Sequence, residues 1–108
     1  CTLRDGALPS GLEIVGSFHE QEGLTVILER SHAEQAGFSF DYVAAWITLN
    51  VHSALEAVGL TAAFATALGK AGISCNVIAG YYHDHLFVGL ADAERALSVL
   101  RQLAANAE

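Results

Sequence analysis

The sequence is short of positive charge, of cysteine and of long apolar runs, and each shortage removes a class of function. Lys and Arg total 5 against 12 Asp and Glu, giving a formal net charge of -7 at pH 7. A surface of that sign repels phosphate backbones and anionic lipid, so neither nucleic acid nor a membrane is expected as a partner. The two cysteines, Cys1 and Cys75, are too few for a disulfide framework. Cys75 lies in an apolar stretch and reads as a small buried hydrophobe with a reduced thiol. No basic segment leads into an apolar one, and no run approaches the roughly 18 apolar residues of a membrane helix. The expected location is the cytoplasm. Charged residues make up 16% of the chain and apolar residues 53%, which argues against disorder and predicts a well-filled interior with apolar surface left for association.

What is present fits one domain: 108 residues suffice for one two-layer core. The chain begins at Cys1 without Met, so upstream residues are expected, and CTL reads as the tail of a strand. Asp5-Gly6, Pro9 and Ser10-Gly11 then favour turns. Residues 12–18 (LEIVGSF) have strand character, with Gly16 as a bulge or close-approach point, and residues 24–28 (LTVIL) pair with them as an antiparallel hairpin. Ser31 and Glu34 fit a capping box for a short helix over residues 33–36, stopped by Gly37. Phe38, Phe40 and Tyr42 follow in a connection.

Residues 44–51 (AAWITLNV) alternate as a strand with Ala45, Ile47, Leu49 and Val51 on the core face and Trp46, Thr48 and Asn50 on the other. Trp46 is expected to cover a helix or a subunit surface, since no convergent polar set adjoins it in sequence. Ser53 to Glu56 is a second capping-box pattern, predicting one helical turn before Gly59 permits a change of direction. A helix over residues 60–71 follows, with Leu60, Ala63, Phe64, Ala67, Leu68 and Ala71 on one face and Gly72 as its stop. Residues 73–81 and 86–90 form a hairpin around His83-Asp84-His85, and Asp92 is placed to cap a last helix with Ala93, Ala96, Leu97, Leu100, Leu103 and Ala104 on its apolar stripe. Strand, helix, strand, strand, helix gives an α+β fold: an antiparallel sheet with two helices on one face, the ferredoxin-like arrangement. The first half echoes the order strand, strand, short helix. The expected organisation is a single compact domain over residues 1–108, built from a reduced half, 1–43, and a more complete unit, 44–108.

No residue set amounts to a catalytic machine. Acid-base work by His83 with Asp84, or by His52 with Glu56, needs a cleft that spacing does not supply. Gly69-Lys70 lacks the upstream glycine of a phosphate loop. His83 and His85 with Asp84 are suitable donors for zinc or a similar ion. The simplest reading of the three is a polar hairpin tip, with ligand or subunit contacts as a further reading. Tyr81 and Tyr82 read either as one inward and one outward strand residue or as stacking aromatics.

The run TLNVHSALEAVGLTAAFATALGKAGISCNVIAGYYHDHLFV, with EGLTVILER before it, resembles the bacterial ACT-domain-like proteins of uncharacterised function. The resemblance spans residues 3–103. It implies a ferredoxin-like unit preceded by a reduced companion, as in tandem ACT regulatory domains, and a homodimer or higher homo-oligomer that binds an amino-acid-like effector at an interface. The resemblance implies no cofactor. Carried over from ligand-binding members, the turn between first strand and first helix places effector contacts at Asn50, Val51, His52, Ser53, Leu55, Glu56, Val58, Gly59 and Leu60. Free amides at the helix start would meet a carboxylate and Glu56 an ammonium group. This chain departs from the regulators' acidic residue and glycine pair by carrying His52-Ser53, so Ser53 competes for the same donors. A dimerisation module without ligand and a divalent-metal protein using His83 and His85 are the alternatives.

Overall fold

The structure, a computed structural model, describes residues 1–50 and 57–106; for residues 57–61 and 106 it describes the backbone alone. The chain divides into two compact units, Cys1–Val43 and Ala44–Glu108.

In the first unit, β1 (Thr2–Leu3), β2 (Gly16–His19) and β3 (Leu24–Ile27) form an antiparallel sheet in the order β1-β3-β2. The strand expected over residues 12–18 is later and shorter. Gly16 opens β2 in regular register with Ile27 and has open space around it, so it is neither a bulge nor a close-approach point. Leu24 and Val26 are buried with Ala33 of α1 (Arg30–Gln35). The capping box does not form: Glu29 occupies the N-cap position without a side-chain bond, and Ser31 lies inside the first turn. Gly37 does end the helix. Its φ of 75° lets its amide bond the Glu34 carbonyl while the Phe38 amide reaches Ala33, a pair that satisfies two orphan carbonyls.

In the second unit, β4 (Ala44–Leu49), β5 (Cys75–Ala79) and β6 (Asp84–Gly89) pair antiparallel in the order β4-β6-β5. Helices α2 (Ala57–Lys70) and α3 (Ala93–Asn106) supply Phe64, Leu68 and Ala96 to a core with Ile73, Leu86 and Val88, and Ala45, Ile47 and Leu49 pack on it. The aliphatic face of β4 is therefore the core face, and the α2 stripe over Ala63, Phe64, Ala67, Leu68 and Ala71 is the buried or half-buried one. Ala104, expected on the α3 stripe, is exposed. Helix α2 ends as α1 does. Gly72, at φ 74°, bonds Gly69, and Ile73 bonds Leu68 while packing against the same core. This is an α+β, ferredoxin-like arrangement.

Of the boundaries that differ from the sequence reading, two bear on the site. Helix α2 begins at Ala57 and runs through Gly59, which does not turn the chain. Once several following turns are packed, the helical ladder outweighs the roughly 1 kcal/mol that one glycine costs. The β5–β6 reversal falls at residues 80–83, closed by the Gly80 amide on the His83 carbonyl, so Asp84 and His85 belong to the strand. Among the described residues, no helix is long and apolar enough to cross a membrane.

Candidate functional site

One end of the second unit's sheet carries the His83-Asp84-His85 stretch. Leu49 pairs with Asp84, and Asp84 pairs with Ala79 across the hairpin. The chain therefore leaves β4 towards Asn50 in the row next to the 80–83 turn. Tyr81 and Tyr82 stand on that turn with their rings edge to face at 4.9 Å, and Tyr81 is 95% exposed. They are neither inward nor outward strand residues, because the strands stop short of them.

Strand alternation splits the His83-Asp84-His85 set. Asp84 shares the parity of Leu86 and Val88, which face the helices, whereas His85 lies on the opposite face with Trp46 and Thr48. The expected polar hairpin tip is thus a turn of tyrosines with two of its three polar residues drawn into the ladder. His85 Nδ1 accepts a hydrogen bond from Trp46 Nε1 at 3.0 Å, and Thr48 Oγ1 lies 3.2 Å from the same nitrogen. The indole also stacks on Phe87 at 5.9 Å between ring centroids, with the planes 22° apart, and this cover keeps Phe87 buried on the sheet face away from the helices. The other edge of the imidazole lies against Gly80, where an added Cβ would come within 3.2 Å of Nε2. His83 Nδ1 is buried with no hydrogen-bond partner among the described residues.

Trp46 therefore adjoins a convergent polar set, contrary to the sequence reading. Trp46, Thr48 and Gly80 were missed as site residues. Alternation places Trp46 and Thr48 on one face, but their meeting with His85 depends on a register joining positions nearly forty residues apart. For metal binding, the described residues contain no group of three His, Cys, Asp or Glu that could hold an ion. His85 also commits Nδ1 to the indole, and Asp84 faces the other way.

Of the residues expected to contact an effector, Asn50 is exposed just past β4. Val51, His52, Ser53, Leu55 and Glu56 lie outside the described residues. Val58, Gly59 and Leu60 are in α2, their side chains not described. Leu60 is the fourth residue of that helix, so the helix start lies before it.

The first unit has an open groove lined by Pro9, Ser10, Gly11, Leu12, Glu13, His32, Gln35 and Ala36. Its Arg30–Glu34 ion pair, at 3.4 Å, is exposed and contributes little.

An ACT-domain family model matches residues 42–102, and a second ACT-domain model matches residues 1–45. Among solved structures, the chain is similar to a Vibrio cholerae protein of unknown function described as a possible transport protein. The TM-score is 0.81 at 56% identity, over 93% of this chain and 77% of that one. No curated protein matches.

Proposed function

This chain belongs to the ACT-domain family, whose members are generally small-molecule-binding regulatory domains, and from that premise we propose that it binds an amino-acid-like effector where β4 passes into α2. The observation that supports this reading most is the Leu49–Asp84–Ala79 row, which starts the β4–α2 connection beside the 80–83 turn. In this reading the amides that open α2 receive the effector carboxylate, Glu56 takes its ammonium group, and Asn50, Val51, His52, Ser53, Leu55, Val58, Gly59 and Leu60 surround it. Binding shifts the packing of a homodimer and changes no bond in the ligand. ACT domains commonly oligomerise, and Tyr81 and Tyr82 on the 80–83 turn are exposed apolar surface suited to a second subunit.

A thermal-shift and calorimetric screen of the twenty amino acids tests the proposal. One class should raise the unfolding temperature, by the equivalent of about 2.7 kcal/mol at a hundredfold excess over Kd. Glu56→Gln should weaken that ligand about tenfold or more, and His52→Ala should weaken it less. A folded dimer that none of the twenty stabilises would overturn the reading.

The exposed Tyr81–Tyr82 pair favours a second reading, a dimerisation or protein-interaction module in which the same end of the sheet is filled by another chain. Tyr81→Ser with Tyr82→Ser distinguishes the two. Loss of the dimer by sedimentation favours the module, and loss of amino-acid binding with the dimer intact favours the effector site.

A further inference from the structure

The contact between Trp46 and His85 carries chemistry that effector binding does not use. An indole N–H can only donate, so His85 Nδ1 is an acceptor here and the neutral ring holds its proton on Nε2. The Thr48 hydroxyl, beside the same nitrogen, can donate or accept. A proton from solvent added to Nδ1 consumes its lone pair. Two N–H groups then face each other at a separation that suits a hydrogen bond and not a repulsion, while the Thr48 oxygen is already in place to accept from the new donor. Trp46 is 51% exposed, so water can receive the released indole.

We propose that Trp46, Thr48 and His85 form a proton-operated switch on the sheet face away from the helices. In its neutral state the imidazole fastens the indole over Phe87; in its charged state it bonds Thr48 and lets the indole go. Three aspects of the geometry support this. The imidazole is held from both sides, by the indole and hydroxyl at Nδ1 and by Gly80 at its other edge. The two alternative partners sit on one strand at alternate positions, Trp46 opposite Phe87 and Thr48 opposite His85. The neighbouring strands bring no charge to this face: β4 contributes Trp46 and Thr48, and β5 contributes Asn76 and Ile78, Cys75 having the parity of the core face. The other titratable groups close by among the described residues are Asp84, on the core face of the same strand, and Tyr81, Tyr82 and His83 in the turn. The charged state therefore introduces a cation to a face on which, among the described strand residues, there is no other charge. The switch stands independently of the effector reading.

Trp46 is the chain's one tryptophan, so its emission and its single indole N–H resonance report directly on the contact. Both are followed on the full chain from about pH 8 to about pH 5, the range over which histidine changes charge, with far-UV circular dichroism as the check on folding. Both signals should move together in a one-proton transition that His85→Gln abolishes and His83→Gln leaves in place. Thr48→Val, which removes the acceptor for the charged state, should shift the transition to lower pH. An indole resonance that does not move, a transition that survives His85→Gln, or one lost in His83→Gln overturns the proposal. Should His85→Gln fail to fold, the imidazole nitrogen shifts of the unaltered chain decide. At pH 8 a bare Nδ1 on His85 is required, and a proton found there overturns the switch.

Discussion

A Cβ added at Gly80 would stand 2.8 Å from the His83 carbonyl oxygen and 3.2 Å from His85 Nε2. The first of these atoms is backbone that closes the turn, so it cannot give way without opening the Gly80–His83 hydrogen bond. Gly80→Ala should therefore cost about 1–3 kcal/mol in urea unfolding, and it should change the emission of Trp46, which touches the same imidazole. Gly69→Ala is the matching control. Gly69 lies in α2 with nothing within 4 Å of its added Cβ, so the change should be neutral or stabilising by up to about 1 kcal/mol. A glycine at 80 is visible in the sequence, but its reason is not: the clash is with side-chain and carbonyl atoms that only the hairpin register brings there. Ser31 fails in the opposite direction. Its capping-box spacing is real, yet Glu29 already has the extended backbone of an N-cap, and a helix that begins at Arg30 leaves Ser31 nothing to cap.

At the level of elements, α2 and β5 make a contrasting pair. Leu68 is fully buried in the core of the second unit, while Ile78 is exposed on the outer sheet face. Leu68→Ala should destabilise by about 3 kcal/mol and Ile78→Ala by less than about 1 kcal/mol, both read from denaturant midpoints at unchanged slope. The α2 stripe was legible because helical periodicity is a property of neighbouring turns and needs no partner to be seen. The ends of elements were not. The reversal between β5 and β6 was expected around residues 83–85, yet β6 takes up Asp84 and His85. Leu49 and Thr48 of β4 lie opposite them, and each added row satisfies backbone groups on both sides of a central strand. The hairpin alone does not reveal that third strand.

On the scale of the whole molecule, the core of Phe64, Leu68, Ile73, Leu86, Val88 and Ala96 lies entirely within residues 44–108. The buried apolar residues of the first unit are Leu24, Val26 and Ala33, too few to offset the chain entropy of a segment that short. A fragment of residues 44–108 should therefore unfold cooperatively by itself, with a smaller denaturant slope in proportion to its surface. A fragment of residues 1–43 should not. Broad, non-cooperative melting of the larger fragment would show that it depends on the remainder of the chain.

Composition and periodicity were enough for the α+β class, the faces that α2 and β4 turn to the core, and a charge balance unfavourable to nucleic acid. These follow from periodicities of two and 3.6 residues and from summed charge, which are local or additive. Folding alone brings His85 to Trp46 and Thr48, parts Asp84 from His85, and leaves room at Gly80 for an imidazole. Each of these depends on strand register, which couples residues far apart in sequence. A one-residue change of register would exchange the two faces of the sheet while leaving every local pattern as it is.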